Sequence, residues 1–122
     1  MLERLRSLFS PGPPVPLVTA PELHKQLKGK QKPFLLDVRS PREFQGGYIA
    51  GSTLIPLGEL PPRSGELPKN HPIVCVCASG RRSKKACRQL MAGGFQDVVN
   101  LSGGMRAWRQ AKLPVRTQSG RT

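Results

Sequence analysis

Residues 73–83 read Ile-Val-Cys-Val-Cys-Ala-Ser-Gly-Arg-Arg-Ser. The first four form a continuous apolar run rich in β-branched residues, the pattern of a strand buried on both faces. Strands of that kind belong to parallel sheets whose crossovers are helices. Cys77 then falls at the carboxyl end of the strand. Ala78-Ser-Gly-Arg-Arg82 reads as a tight loop in which Gly80 permits the turn. A helix is expected from about Ser83, with Ala86, Cys87, Leu90 and Met91 on one face and Gly93-Gly94 as its stop.

Upstream, Thr19-Ala-Pro-Glu22 is a capping box with proline in the first turn, and it predicts a helix to about Lys28. Leu23 and Leu27 supply its buried stripe. Phe34-Leu-Leu-Asp-Val38 predicts a second buried strand, interrupted by the acid Asp37. Ser40-Pro-Arg-Glu43 is another capping box, so a short helix is expected from Pro41 to Gly46-Gly47. Thr53–Ile55 reads as a brief strand closed by Pro56, and residues 61–72 as a loop. Downstream, Val98-Val99 predicts a short strand. Gly104–Gln110 predicts a last helix, with Met105 and Trp108 turned to the core. Alternating strands and helices imply an α/β fold: a three-layer sandwich with a central, mostly parallel sheet and helices on both faces. Open sheets of this kind bind ligands at the carboxyl ends of their strands, where Cys77 is placed.

The 122 residues suit one domain, and the 37% hydrophobic fraction rules out wholesale disorder. The domain proper is expected at 17–115. Residues 1–10 place Leu2, Leu5, Leu8 and Phe9 at helical spacing. They read either as a loosely packed terminal helix or as a basic amphipathic anchor for a partner or a membrane surface. Four prolines within residues 11–16 make an extended linker, and residues 116–122 a loose tail. No stretch reaches the ~18 apolar residues of a membrane span, and no secretory h-region is present. Twenty Lys and Arg against seven Asp and Glu give a net charge of +13, which favours anionic partners. The three cysteines, Cys75, Cys77 and Cys87, are odd in number and closely spaced, unlike a disulfide framework. Free thiols point to a reducing compartment, the cytoplasm. His24 and His71 lack ligand partners nearby, so no metal site is expected, and no cofactor.

The chemistry concentrates at Cys77. Small Ala78 and Ser79 let the backbone close around a point, and N–H groups at such a turn converge on an anion. A helix N-terminus adds about half a positive charge there. Arg81, Arg82, Lys84, Lys85 and Arg88 add five cations within eight residues. Each effect favours thiolate over thiol, so Cys77 is expected to titrate below the free value of about 8.5. A thiolate is a competent nucleophile without a dedicated base. Cys75 and Cys87 read as small buried hydrophobes.

With its flanking segments, this loop resembles the active-site loop of the rhodanese family, sulfurtransferases that carry sulfur as a cysteine persulfide. The resemblance spans roughly residues 17–115. Leu36-Asp-Val-Arg-Ser-Pro-Arg-Glu-Phe44 is similar to the family's Asp-Val-Arg segment, and Gly47-Tyr-Ile-Ala-Gly51 with Ile55-Pro56 continues it. Asn100-Leu-Ser-Gly-Gly-Met-Arg-Ala-Trp108, leading to Leu113-Pro114, resembles the closing segment. The resemblance implies that Cys77 takes a sulfane sulfur from a small anionic donor such as thiosulfate. A thiophilic acceptor, such as cyanide, a thiol or a protein, then removes it. Residues Ala78, Ser79, Gly80, Arg81, Arg82 and Ser83 would form the cradle, with Arg82 the main charged ligand and Arg81 a second. Asp37 would orient Arg82 or the loop, and Arg39 would pair with a nearby acid such as Glu43. The sequence departs from the family at Tyr48, where His is frequent, and at Ala78, where a long residue such as Arg is frequent.

Two rival classes remain in view. Protein phosphatases and arsenate reductases need five residues between Cys and Arg, whereas four separate Cys77 from Arg82. Cys75 and Arg81 have the phosphatase spacing, but Cys75 lies inside the apolar strand. A non-catalytic binding or sulfur-relay module would keep the loop for recognition. The positive charge admits an acidic sulfur-relay protein or tRNA as a partner of a monomeric chain. Scarce aromatic side chains give little support to base stacking.

Overall fold

The computed structural model describes residues 12–118. The expectations for residues 1–10 and the end of the tail lie outside the described residues. Five strands form one sheet: β1 (Leu17–Val18), β2 (Phe34–Asp37), β3 (Thr53–Leu54), β4 (Ile73–Val76) and β5 (Val98–Leu101). Their order is β1-β5-β4-β2-β3, and every pair is parallel. The helices are α1 (Ala20–Leu27), α2 (Pro41–Gln45), α3 (Leu60–Arg63), α4 (Arg81–Ala92) and α5 (Gly104–Gln110).

The period of two along β4 divides the core. Ile73, Cys75 and Cys77 face one side with Ala86, Cys87 and Leu90 of α4. Val74 and Val76 face the other with Leu23 of α1 and Met105 and Trp108 of α5. All are buried, so each face of the sheet has its own helical layer. The fold is therefore the expected three-layer α/β sandwich. Burial of each large apolar side chain contributes on the order of 1.5–3 kcal/mol, which makes β4 the spine of the molecule. Trp108 also donates its ring N–H to the Pro114 carbonyl at 2.8 Å.

Both capping boxes form as read. Thr19 and Glu22 cap α1 reciprocally, and Ser40 and Glu43 cap α2. Three expectations need correction. First, residues 57–66 are helical: α3 is flanked by 3₁₀ turns at Leu57–Glu59 and Ser64–Glu66. Pro61 falls in the first turn of α3, where a missing N–H costs nothing. Leu60 and Leu67 anchor this segment in the core, and Arg63 bonds Glu59 and Glu66. Second, β5 runs on to Leu101, because Asn100 joins the ladder beside Cys75 instead of ending it. Leu17 and Val18 also pair with Asn100 and Leu101 as the edge strand β1. Third, α4 starts at Arg81, two residues ahead of Ser83. Gly80 at φ +99° turns the chain directly from strand to helix, so Arg81 and Arg82 belong to the first helical turn.

Topology then fixes where a ligand goes. From β2 the chain continues outward to β3, whereas from β4 it continues the other way to β5. The crevice between the carboxyl ends of β2 and β4 is the switch point of the sheet. Asp37 and Val76 are paired there, one residue before Cys77.

Candidate active site

Cys77 is enclosed beneath Ala78, Ser79 and Gly80, which are half-buried. Its Sγ accepts the Gly80 N–H at 3.0 Å and faces the Ser83 hydroxyl at 3.2 Å. The loop's carbonyls are turned away from the sulfur by other donors. Met105 N–H donates to the Cys77 carbonyl at 2.8 Å, and Arg106 N–H to the Ala78 carbonyl at 3.0 Å. Asn100 Nδ2 donates to the Gly80 carbonyl at 2.9 Å. With the carbonyls held outward, the N–H groups are left facing Sγ, which makes a nest for an anion.

Helix α5 must lie close for this to work. Gly104, at φ +56°, touches the loop directly. A Cβ there would collide with the Cys77 carbonyl oxygen and lie 2.7 Å from the Ala78 carbonyl carbon. The Gly103-Gly104 pair is thus required by approach as well as by backbone angle.

The ionisation of Cys77 follows from these contacts. Burial opposes the charged form. The Ser83 hydroxyl, together with the N–H groups of Ser83, Gly80 and Ser79, outweighs it and holds the thiol below its ordinary value. Cys75 behaves oppositely. Its contact with Cys87, followed by burial, pushes its thiol well above the usual range. The thiol with phosphatase spacing to Arg81 is thus held protonated in the core.

The two arginines of the site exchange the partners expected for them. Arg39 binds Asp37, not the Glu43 carboxylate, with Nη2 to Oδ2 at 2.7 Å and Nε to Oδ1 at 2.9 Å. Its remaining N–H groups reach the Gly47 carbonyl at 2.8 Å and the Glu43 carbonyl at 3.3 Å. Both side chains are buried and fully engaged, so Asp37 orients Arg39 and through it the end of α2. Arg82 instead makes a bidentate pair with the Glu43 carboxylate, both bonds at 2.8 Å. The reason is the early start of α4. It places Arg82 on the first helical turn, across the crevice from α2. Hydrogen bonding to Arg82 is the main cause that lowers the Glu43 carboxyl to about 2. Arg82 is in turn raised, first by those bonds and also by the charges of Cys77 and Asp37. Arg81 is exposed on the same turn.

Two residues of this constellation were not identified as site members from sequence. Glu43 carries a clear capping signal, which masks its second role. Asn100 is a polar residue within the otherwise apolar run Val98–Leu101, and that is its signal: a buried amide in a strand needs partners. A groove of about 420 Å³ between α1 and α5, lined by His24, Leu27, Leu35 and Trp108, contains none of the loop residues.

The fold, the switch-point crevice and the cysteine nest together define an α/β domain with an enclosed thiol at the carboxyl end of its central strand. Comparison with known proteins agrees. The rhodanese-like domain family matches residues 19–111, and the chain belongs to that family. It is 35% identical over 103 residues to a sulfurtransferase of Allochromatium vinosum, covering 84% of this chain and 96% of that one. It is 36% identical over 94 residues to the putative sulfur carrier protein YrkF of Bacillus subtilis, covering 77% of this chain and 51% of that one. The crystal structure of a rhodanese-related protein from Thermoplasma volcanium superposes with a TM-score of 0.78 at 31% identity, over 84% of this chain and 99% of that one. Among the described residues, no helix is long and apolar enough to cross a membrane.

Proposed function

We propose that the protein is a sulfurtransferase that moves a sulfane sulfur through a persulfide on Cys77. The thiolate attacks the outer sulfur of a donor such as thiosulfate. A sulfur–sulfur bond forms to Cys77, and sulfite leaves with the electron pair of the broken bond. A thiophilic acceptor, such as cyanide or a thiol, then attacks the outer sulfur and releases the Cys77 thiolate. The observation that carries this reading is the nest itself: a thiol held below its ordinary value by inward N–H groups and the Ser83 hydroxyl. The same N–H groups of Ser79, Gly80 and Ser83 would stabilise the charge of the persulfide. The reacting unit is the segment 17–115, and a reducing compartment such as the cytoplasm suits its free thiols.

Intact mass of the reduced protein mixed with thiosulfate tests the reading, beside a Cys77→Ser control. The expected result is a species one sulfur atom heavier that the control lacks. Absence of that species with both thiosulfate and a persulfide donor would overturn it.

A sulfur-relay reading is favoured by a separate observation, the net charge of +13. In it, the acceptor is an acidic protein and Cys77 is one station of a chain. The same charge admits tRNA. Binding to tRNA that survives a salt titration would support docking, whereas loss of all binding at moderate salt would reduce it to bulk charge.

A further inference from the structure

Ser83 and Asn100 present a conflict of one proton. The Ser83 Oγ lies 3.2 Å from Cys77 Sγ and 2.5 Å from Asn100 Oδ1. A hydroxyl has a single proton to donate. The Asn100 amide cannot rotate to ease the conflict, because its Nδ2 is committed to the Gly80 carbonyl at 2.9 Å. A carbonyl accepts only, so that contact fixes Oδ1 toward Ser83. All three side chains are buried.

We infer that Asn100 is a positioning residue that competes with Cys77 for the Ser83 proton and thereby sets how readily the site holds a thiolate. With Cys77 as a thiol, its S–H donates to Ser83 Oγ, and the Ser83 proton goes to Asn100 Oδ1. With Cys77 as a thiolate, the Ser83 proton turns to Sγ. Asn100 Oδ1 then loses its donor and faces the Ser83 oxygen at close range. Asn100 therefore stabilises the neutral form relative to the charged one, against the pull of the N–H nest. The consequence is kinetic. A thiolate held too strongly is a weaker nucleophile, whereas a lower thiol pKa makes a better leaving group. Asn100 keeps attack on the donor and release to the acceptor in balance.

The inference rests on Cys77 being the sulfur carrier, but its test reads thiol ionisation, which proceeds whether or not sulfur is transferred. The Cβ chemical shift of isotope-labelled cysteine, followed against pH, reports the Cys77 pKa without requiring access to the enclosed sulfur. The measurement is made on the parent protein, Asn100→Leu, Ser83→Ala and the double variant. Asn100→Leu also removes the tie to Gly80, and the Ser83→Ala background measures that part alone. The decisive quantity is the Asn100→Leu shift with Ser83 present minus the shift in the Ser83→Ala background. We expect a fall of about half to one pKa unit, the size of one neutral hydrogen bond. A difference of zero, or a rise, would overturn the inference. If Asn100→Leu fails to fold, Asn100→Val, a smaller strand former, carries the same expected and overturning outcomes.

Discussion

Arg39 and Arg82 each bind a carboxylate, yet their surroundings make different demands. The Arg39–Asp37 pair has 5% and 1% of its side-chain surfaces exposed, and every donor of the guanidinium that faces the interior has an acceptor. Arg39→Ala removes the guanidinium and leaves the buried Asp37 carboxylate with only the backbone N–H of residue 39, at 3.1 Å, as a donor, which costs on the order of 3 kcal/mol. Chemical denaturation should show this as a large fall in midpoint. The Arg82–Glu43 pair is 41% and 35% exposed, so solvent screens it. Arg82→Ala should cost about 1 kcal/mol or less in the same measurement. Its effect belongs to reactivity. The charge of Cys77 is among the lesser causes that raise Arg82, so removing the guanidinium takes a favourable charge away from a Cys77 thiolate. Sulfur loading at neutral pH should slow several-fold while the protein remains folded. Equal stability losses for the two variants would show that burial does not separate their roles.

At the level of elements, the site depends on how closely α5 approaches the loop before α4. Gly104→Ala tests this against Gly51→Ala. Both glycines lie at positive φ, +56° and +89°, but nothing stands within 4 Å of a Cβ at Gly51. The Gly51 variant should carry backbone strain alone, roughly 1–2 kcal/mol. The Gly104 variant adds a collision with the Cys77 and Ala78 carbonyl groups. Its loss of stability should exceed that of Gly51→Ala, and sulfur loading should fail even where the protein folds. If both variants load sulfur normally, the outward-held carbonyls are not what forms the nest. The same elements show what the sequence made legible. Apolar runs and capping boxes marked β2, β4, α1 and α2, because those signals are local. The start of α4 was misread because Arg81 and Arg82 oppose the helix dipole, which makes them poor first-turn residues. What offsets them is the Glu43 carboxylate, 39 residues away from Arg82, and the charge on Cys77. Neither offset can be seen in a window of neighbouring residues. Asn100 was missed for a related reason. Its partners, Gly80 and Ser83, come from a different element, and only the parallel pairing of β4 with β5 brings them together. Local conflict at Arg81–Arg82 and at Asn100 coincides with the site, as expected where function overrides local preference.

Across the whole molecule, the sheet reverses its winding between β2 and β4, whose ladder joins the two halves. Above that ladder the Arg82–Glu43 pair adds a second link, joining α4 on one half to α2 on the other. Its pH dependence gives a test. The Glu43 carboxyl titrates at about 2 in the folded protein, below its ordinary 4.5, chiefly through its bonds to Arg82. A carboxyl depressed by folding contributes stability that is fully present above its unfolded value and is lost as pH falls through its folded value. Glu43→Gln removes the charge while its side-chain oxygen still accepts from Ser40 and keeps the capping box; its Nε2 then faces the Arg82 Nη2 donor in place of an acceptor. The stability of the parent minus that of Glu43→Gln should therefore be constant near neutral pH. It should shrink below about pH 4.5 and vanish near pH 2. Because the pair is partly exposed, its plateau should be about 1 kcal/mol, smaller at high salt. A difference that stayed flat through the acid range would mean that shape and hydrogen bonding, and not the carboxylate charge, hold α2 against α4. The two helices would then stay in contact even where Glu43 is neutral. A difference that closes as described makes the crevice acid-labile. Loosening of the α2–α4 contact should then precede loss of the β4 core as pH falls, because the pair is partly exposed while β4 is held by apolar burial on both faces.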